Sequence, residues 1–118
     1  MSENRLNKTV KLNKNGDFRR AYSRGKSFVD PALVTYVTKN RAGICRIGIT
    51  ATKKIGNAVT RNRSKRVIRA AYSGLKDSVK SGGYDLVFVA RSRTAKMKSY
   101  EVEQVMLRHL RKSGLIEL

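Results

Sequence analysis

The residues with the clearest chemical potential lie in one basic segment, residues 53–69, with the sequence KKIGNAVTRNRSKRVIR. Seven of its seventeen residues are lysine or arginine, and none is acidic. When this segment and the residues after it are placed on a helix at about 100° per residue, small and apolar side chains share one face: Thr60, Ser64, Val67, Ile68, Ala71 and Leu75. The opposite face carries Arg61, Asn62, Lys65, Arg66 and Arg69, with Arg63 on its flank.

A dense cationic face of this kind is typical of a surface that binds phosphates. Like charges three or four residues apart repel each other by roughly a few tenths of a kcal/mol, and a face that meets only water usually alternates its charges. A phosphate backbone turns that repulsion into binding energy, and arginine and asparagine suit phosphate and 2′-hydroxyl geometry. Gly56 and Asn57 allow unusual backbone angles and free amides at the helix start. The segment predicts a nucleic-acid-binding helix; the alternatives are a solvated basic face and a nuclear localisation signal.

The sequence offers no convincing set of catalytic residues. Protein nucleases usually assemble metal-binding carboxylates or a histidine acid–base pair, whereas the eight acidic residues here are scattered. One cysteine and one histidine cannot form the usual four-ligand zinc site. We expect His109 to lie at the edge of the core on the last helix, and Cys45 to be a small core residue. No catalytic residue is therefore predicted in the protein.

Length and composition limit the remaining possibilities. The chain has 118 residues, which suits one domain, and 40% of them are hydrophobic, enough for a core. No stretch approaches ~18 consecutive apolar residues, no secretory signal is recognisable, and a lone cysteine cannot form an intramolecular disulfide. The formal net charge of +19 favours a polyanionic partner, because self-repulsion destabilises the free chain. We expect a soluble, cytoplasmic domain that binds nucleic acid, with no membrane contact and no protein partner evident.

The elements that position the basic helix are predicted in the order α-β-β-α-β-α, after a flexible lead-in over residues 1–12. We expect Asn13 or Asn15 to cap the first helix and Ser99 to cap the last. Strands are predicted where β-branched and aromatic residues cluster, and an almost wholly apolar strand is typical of a central position. The predicted helices are 13–25, 58–74 and 100–112, and the predicted strands are 32–38, 44–51 and 84–90. The result is a single-domain α+β fold in which helices cover one mixed central sheet.

Two smaller patterns concern the strand 44–51 and the first helix. Alternation puts the apolar side chains of the strand on one face and Arg46, Gly48 and Thr50 on the other, partly polar face. Phe18 and Tyr22 lie four residues apart and share one face of the first helix. These two rings can be a core stripe or a surface for stacking, and the spacing alone leaves both open.

Together these motifs resemble the bacterial ribonuclease P protein component over essentially the whole chain. The basic segment resembles the long and specific RNR signature of that family, with Arg61, Asn62 and Arg63 at its centre. The Asp-Phe-x-x-x-Tyr pattern that begins at Asp17, the Ala-Arg pair that ends the strand 84–90, and the length and basicity also agree.

The resemblance implies the small subunit of a ribozyme, whose RNA subunit cleaves precursor tRNA with Mg²⁺ and releases the 5′ leader. The protein then binds the catalytic RNA and, in a central cleft, the single-stranded leader, while Mg²⁺ is bound mainly by the RNA. The residues implied to bind the catalytic RNA are Lys53, Lys54, Asn57, Arg61, Asn62, Arg63, Lys65, Arg66 and Arg69. The residues implied to bind the leader are Phe18, Tyr22, Tyr36 and Arg46. Stacking of bases on aromatic rings contributes ~1–3 kcal/mol per base with little sequence preference, which suits varied leaders.

The resemblance also implies features of the fold that periodicity does not give. The crossover from strand 44–51 through the basic helix to strand 84–90 is expected to be left-handed, as in the ribosomal protein S5 domain 2-like fold, although about 98% of such crossovers are right-handed. An additional short strand is expected, for which residues 26–30 are the candidate. Residues 91–94 lack the glycine or proline frequent in the family, which leaves the conformation of this loop open.

Two other functions are compatible with parts of the sequence. A structural RNA-binding protein of the ribosomal type fits the charge and the α+β order equally well, but the long motif and the aromatic residues favour ribonuclease P. A stand-alone nuclease is the least favoured, because no catalytic set is present.

Overall fold

Three helices cover a five-stranded mixed sheet in the computed structural model of the protein, which describes residues 9–117. The strands are β1 (Thr9–Lys11), β2 (Lys26–Asp30), β3 (Leu33–Lys39), β4 (Cys45–Thr50) and β5 (Tyr84–Ala90). The helices are α1 (Asn15–Arg24), α2 (Ala58–Ser73) and α3 (Ser99–Ser113). Short 3₁₀ turns lie at Lys53–Ile55, Lys76–Ser78 and Thr94–Lys96.

The strands lie in the order β1-β4-β5-β3-β2, so β5 is central. β5 is parallel to β4 and antiparallel to β3, and Leu86 of β5 has Ile47 and Val37 as its neighbours on either side. β1 pairs in parallel with β4, and β2 pairs antiparallel with β3. The unit β4-α2-β5 is a crossover between neighbouring parallel strands, which lays the basic helix α2 across one face of the sheet.

Each face of the sheet has its own core. The larger core lies under α2 and α3, where Leu33, Ile68, Phe88 and Met106 are fully buried. The smaller core lies under α1 and contains Leu12, Ala21 and Val87, with Phe18, Tyr36 and Val89 packed against it. Val87 and Phe88, adjacent on β5, therefore serve opposite faces, as the two-residue period of a strand requires. This confirms the prediction of a central strand covered on both sides.

The predicted helices and strands are confirmed, each within two residues of its observed ends. The strand expected from the family resemblance at residues 26–30 is β2. The predicted mixed sheet covered by helices is also confirmed.

The prediction of a lead-in over residues 1–12 differs from the structure over its last four residues. Residues 9–11 form β1, and Leu12 is buried, with its N–H donating to the carbonyl of Ile47 at 2.8 Å. The pairing partner β4 supplies the hydrogen bonds, and three residues are too few to show a strand period. Residues 1–8 lie outside the described residues.

The predicted capping residues were wrong for both terminal helices. Lys14 is the N-cap of α1, without a side-chain hydrogen bond, in place of Asn13 or Asn15. α3 begins after Lys98, whose N–H donates to Glu101 Oε1 at 2.9 Å, so Ser99 already lies inside the helix. An acidic side chain from within the first turn replaces the expected hydroxyl cap, and it also suits the positive end of the helix dipole.

Candidate nucleic-acid interface

The basic helix α2 begins at a glycine–asparagine pair. Gly56 has φ of 143°, a conformation that strongly favours glycine. Asn57 is the N-cap, and its Oδ1 accepts a hydrogen bond from the N–H of Thr60 at 2.9 Å. The unusual backbone angle predicted here is confirmed at Gly56, while the side-chain oxygen of Asn57 is used to start the helix.

The inner face of α2 packs on the sheet through small and apolar side chains. Ser64, Ile68 and Ala71 are fully buried, as predicted from the helical period. Ser64 meets the cost of burying its hydroxyl by donating to the carbonyl of Thr60 at 2.9 Å. Tyr72 is also buried, although it was not predicted, because its ring packs against Phe88 with the centroids 5.7 Å apart.

The outer face of α2 and the turn before it form a cationic surface, here called the basic face. Its residues are all solvent-accessible, with Arg61 and Lys65 half-buried and the others exposed: Lys53, Lys54, Asn62, Arg63, Arg66 and Arg69. None of these cations forms an ion pair within residues 9–117. With no carboxylate to neutralise them, the charges reinforce one another and favour a polyanionic ligand.

Two arginines of the basic face also hold neighbouring backbone. Arg61 Nη1 donates to the carbonyl of Gly56 at 3.1 Å, and Arg63 Nε donates to the carbonyl of Ala95 at 2.9 Å. A guanidinium has five N–H donors, so each arginine keeps donors for a ligand. The contact of Arg63 joins α2 to the loop 91–98, which sequence reasoning did not connect with the basic helix.

The loop 91–98, whose conformation the sequence left open, contains a 3₁₀ turn fixed by Thr94. The Thr94 side chain is fully buried; its Oγ1 donates to the carbonyl of Ala32 at 2.6 Å and accepts from the N–H of Arg91 at 2.8 Å. The four cations of the loop are exposed: Arg91, Arg93, Lys96 and Lys98. A basic loop of defined shape therefore lies beside the basic face.

The predicted leader-binding aromatics come together on the other face of the sheet, and are here called the aromatic cluster: Phe18, Tyr22 and Tyr36. The ring centroids of Tyr22 and Tyr36 are 5.0 Å apart in an edge-to-face arrangement, and those of Phe18 and Tyr22 are 6.4 Å apart. Tyr22 is 42% exposed, and its hydroxyl donates to Thr50 Oγ1 at 3.4 Å. Phe18 and Tyr36 pack on the small core, so the cluster combines a packing role with an accessible ring.

Arg46, the fourth predicted leader-binding residue, is bound by two carboxylates. Its Nε and Nη2 donate to Oδ1 and Oδ2 of Asp85 at 2.7 and 2.8 Å, and its Nη1 lies 3.4 Å from Asp17 Oδ2. The hydrogen bond to Asp85 is the main cause that raises the pKa of Arg46. Its predicted contact with the leader stays a prediction, but its guanidinium is not a free cation.

A groove of about 560 Å³ runs from the aromatic side of the sheet to the basic face. Phe18 and Leu12 line it from the α1 side, Ile47 and Ile49 form part of its floor, and cations surround it: Lys11, Lys65, Arg69 and Lys76. Sequence reasoning missed Lys11 and Lys76 as groove residues. No local signal could have found them, because the ends of β1 and α2 meet here only through the fold.

The single histidine and cysteine have structural surroundings. His109 is buried, with Nδ1 2.8 Å from Thr35 Oγ1 and its ring 5.9 Å from that of Phe28. Burial lowers the pKa of His109. Cys45 is half-buried against the larger core, and burial raises its thiol pKa. The prediction of a core-edge histidine is confirmed, whereas Cys45 packs against the core without being fully buried.

Two further kinds of site are absent from the described part of the chain, a metal-binding cluster and a membrane-spanning helix. Within residues 9–117, no group of three or more histidine, cysteine, aspartate or glutamate side chains could hold a metal ion. In the same part of the chain, no helix is both long and apolar enough to span a membrane.

Comparison with known proteins identifies the family. Residues 6–114 match the family model described as Ribonuclease P. The ribonuclease P protein component of Clostridium botulinum (strain Loch Maree / Type A3) is 42% identical over 108 residues, which cover 92% of this chain and 97% of that protein. The component from Clostridioides difficile (strain 630) is 46% identical over 86 residues, covering 73% of this chain and 75% of the relative.

Solved structures agree with these sequence matches. The RNase P protein of Staphylococcus aureus superposes with a TM-score of 0.78 at 29% identity, covering 92% of this chain and 98% of that one. The RNase P protein of Thermotoga maritima gives a TM-score of 0.74 at 26% identity, with coverage of 86% and 96%. With a basic helix and an aromatic cluster on this shared fold, the chain belongs to the ribonuclease P protein component family and is the protein part of a ribonuclease P holoenzyme.

Proposed function

We propose that the protein binds the RNA subunit of ribonuclease P through the basic face and the single-stranded 5′ leader of precursor tRNA through the aromatic cluster. The observation that carries the proposal is the row of cations on α2 that no carboxylate neutralises within residues 9–117. Such a surface opposes folding of the free protein by self-repulsion and becomes favourable against a polyanion.

The basic face acts on the RNA subunit mainly through phosphates. Its cations stand on a helix whose other face is buried in the core, so they are presented on a rigid support. Contacts of this type release counterions, and six to ten of them lose roughly 10³–10⁵ in affinity between about 50 and 200 mM salt. Arg61, Asn62 and Arg63 add directional donors for phosphate and 2′-hydroxyl oxygens.

The leader binds on the aromatic side by stacking and charge together. The accessible ring of Tyr22 offers a surface for an unpaired base, and stacking tolerates different bases. Phe18 also lines the groove that holds Lys65 and Arg69, so a strand stacked at the cluster can place its phosphates beside cations of α2. This arrangement suits a subunit that meets leaders of many sequences.

In this proposal the RNA subunit carries out the endonucleolytic cleavage, with Mg²⁺ held mainly by the RNA. The chain's own contribution is to bind, to orient the leader and to place positive charge beside phosphates. That charge replaces part of the cation requirement of the RNA, so the effect of the protein is largest at low Mg²⁺.

The test is 5′-leader cleavage of a precursor tRNA at low Mg²⁺ with a bacterial ribonuclease P RNA alone, the protein alone, and both together. We expect cleavage in the mixture and none from the protein alone. If the protein binds RNA tightly but does not stimulate cleavage, a structural RNA-binding role of the ribosomal type is the better conclusion. Cleavage by protein freed of RNA would indicate a nuclease site in the chain itself.

A further inference from the structure

The guanidinium of Arg46 is committed to carboxylates of the protein. Asp85, which binds it through two hydrogen bonds, is fully buried, and the Arg46 side chain itself is 20% exposed. A bidentate arginine–carboxylate pair is among the strongest and most directional of hydrogen-bonded pairs. If Arg46 turned toward a phosphate, Asp85 would be left as a buried unpaired charge, which is strongly unfavourable.

The two carboxylates on Arg46 belong to different parts of the fold. Asp85 lies on the central strand β5 and is also fixed by Asn40, whose Nδ2 donates to Asp85 Oδ1 at 2.7 Å. Asp17 lies in the first turn of α1, immediately before Phe18, and is mostly buried. Arg46 therefore connects the centre of the sheet with the start of the helix that carries two of the three clustered rings.

A second contact from β4 meets α1 at the next residue. Gly48 lies on the same face of the strand as Arg46, and a Cβ built on it would come within 2.5 Å of Phe18 Cε1. The consecutive residues Asp17 and Phe18 thus meet Arg46 and Gly48, two residues apart on one strand. The ion pair of Arg46 with Asp17 and the packing of the Phe18 ring on the backbone of Gly48 together hold the start of α1 against β4 at two points.

We propose that Arg46 is a positioning residue that acts through Asp17 to hold α1, and with it the aromatic cluster, in place for the leader. Arg46 then supports leader binding without contacting leader phosphate. The proposal rests on the proposed function, because the expected effect of losing Arg46 is weaker binding of the leader.

Asp17→Asn separates positioning from direct phosphate contact, and it leaves the buried Arg46–Asp85 pair intact. A phosphate-binding Arg46 would bind the leader equally well or more tightly in this variant, because a competing negative charge is gone. A positioning Arg46 predicts about three- to tenfold weaker binding of a precursor tRNA with its leader, with unchanged affinity for leaderless tRNA and for the RNA subunit. Arg20→Gln is the matched control, since it removes the other, exposed partner of Asp17 at 3.5 Å.

Arg46→Lys provides the second variant, because it keeps the charge but loses the planar fork that serves both carboxylates. Positioning predicts a loss of leader affinity comparable to that of Asp17→Asn, whereas a simple phosphate contact predicts affinity close to the wild type. Amide hydrogen exchange of α1 in the free protein gives a measurement that does not depend on the leader. We expect weaker protection of α1 in Asp17→Asn and no change in Arg20→Gln.

The combined outcomes decide the proposal. Unchanged protection of α1, or leader affinity that is unchanged or tighter in Asp17→Asn, would overturn the positioning role. If the wild-type holoenzyme bound precursor and leaderless tRNA equally, the proposed leader-binding function would fail instead. In that case the exchange measurement alone would still support or reject the coupling of Arg46 to α1.

Discussion

At the scale of single residues, the cations of the basic face stand close together on one helix and the turn before it, and none has a carboxylate partner within residues 9–117. Arg66 is exposed near the middle of that face. We expect Arg66→Ala to weaken binding to ribonuclease P RNA and to lower the slope of log affinity against log salt by about 1. Titrations at several salt concentrations give both quantities.

The matched control for Arg66→Ala is Lys112→Ala, an exposed cation in the last turn of α3. It removes the same formal charge from a different helix. Equal losses in the two variants would show that the RNA responds to total charge and that the basic face is not a distinct binding surface.

His109 gives a pH dependence whose sign follows from its burial. It is the one histidine of the chain, and burial lowers its pKa below the ordinary 6.5. The unfolded chain therefore takes up a proton near pH 6.5 that the folded protein accepts only at lower pH. The free energy of unfolding should be fully retained above about pH 6.5 and decrease below it.

Urea unfolding at about pH 7.5 and about pH 5.5 measures this effect. We expect a lower free energy of unfolding at the acidic pH for the wild type and a smaller difference for His109→Gln. An equally large difference in the variant would assign the pH dependence to carboxylates, of which Asp30 lies close enough to act on His109.

Residue roles were predictable from the sequence where they depend on local spacing. The helical period predicted the basic face of α2 and the core-edge position of His109, since each depends on neighbours within two turns. The ion pairs of Arg46 could not be predicted, because Asp85 lies 39 residues away and meets it only across paired strands. The residues next to an arginine on a polar strand face do not indicate which distant carboxylate will pair with it.

At the scale of elements, the loop 91–98 depends on one buried hydroxyl. Thr94→Val keeps the shape of the side chain but removes the hydrogen bonds to Ala32 and Arg91. We expect the free energy of unfolding to fall by about 1–3 kcal/mol, the cost of unsatisfied buried groups. Affinity for the RNA should also fall, since Arg63 contacts this loop through Ala95.

Thr52→Val is the control for the loop variant, because Thr52 is exposed and its side chain makes no capping hydrogen bond. Denaturant unfolding and RNA titration are carried out on both. If Thr94→Val lost stability but kept full RNA affinity, the loop would be a structural element without a part in RNA binding.

The packing of α1 against the sheet can be tested at Gly48. Gly48→Ala places a methyl group against Phe18 and Leu12, and overpacking of this kind costs typically about 1–3 kcal/mol. We expect lower stability and weaker leader binding, measured by urea unfolding and by affinity for precursor tRNA. Gly16→Ala is the control on α1 itself, because its added Cβ meets no atom within 4 Å.

Element positions followed the sequence wherever the pattern was long enough. Each helix and each longer strand has several periods of apolar residues, so their ends agree with prediction within two residues. β1 has only three residues, and β2 was indicated by the family resemblance and not by its own pattern. Short edge strands depend on the partner strand for stability, which a local pattern does not contain.

At the scale of the whole molecule, the sheet order was beyond local prediction. The pattern of apolar and polar residues along a strand indicates whether the strand is half-buried or central. It does not indicate which strands lie beside it, and so it could not place β5 between β4 and β3. That order depends on pairing between strands far apart in the sequence, such as β3 with β5. Both proposed binding surfaces depend on the order, since the groove joins residues from β1, α1, β4 and α2.

The net charge of +19 predicts opposite effects of salt on the free protein and on its complex with RNA. Raising the ionic strength from about 0.01 to 0.1 M shortens the Debye length from about 30 to 10 Å. The shorter length falls below the 13.4 Å radius of gyration, so repulsion across the molecule becomes screened. The midpoint of thermal unfolding of the free protein should rise, while affinity for ribonuclease P RNA falls.

A variant with alanine at Lys65, Arg66 and Arg69 tests whether both effects have one origin. Removing three like charges from one helix face should raise the stability of the free protein at low salt and make both salt responses shallower. Thermal unfolding and RNA titration over the same salt series measure the two responses. If the RNA response became shallower while the unfolding midpoint kept its full dependence on salt, the basic face would bind RNA without being a main source of the self-repulsion.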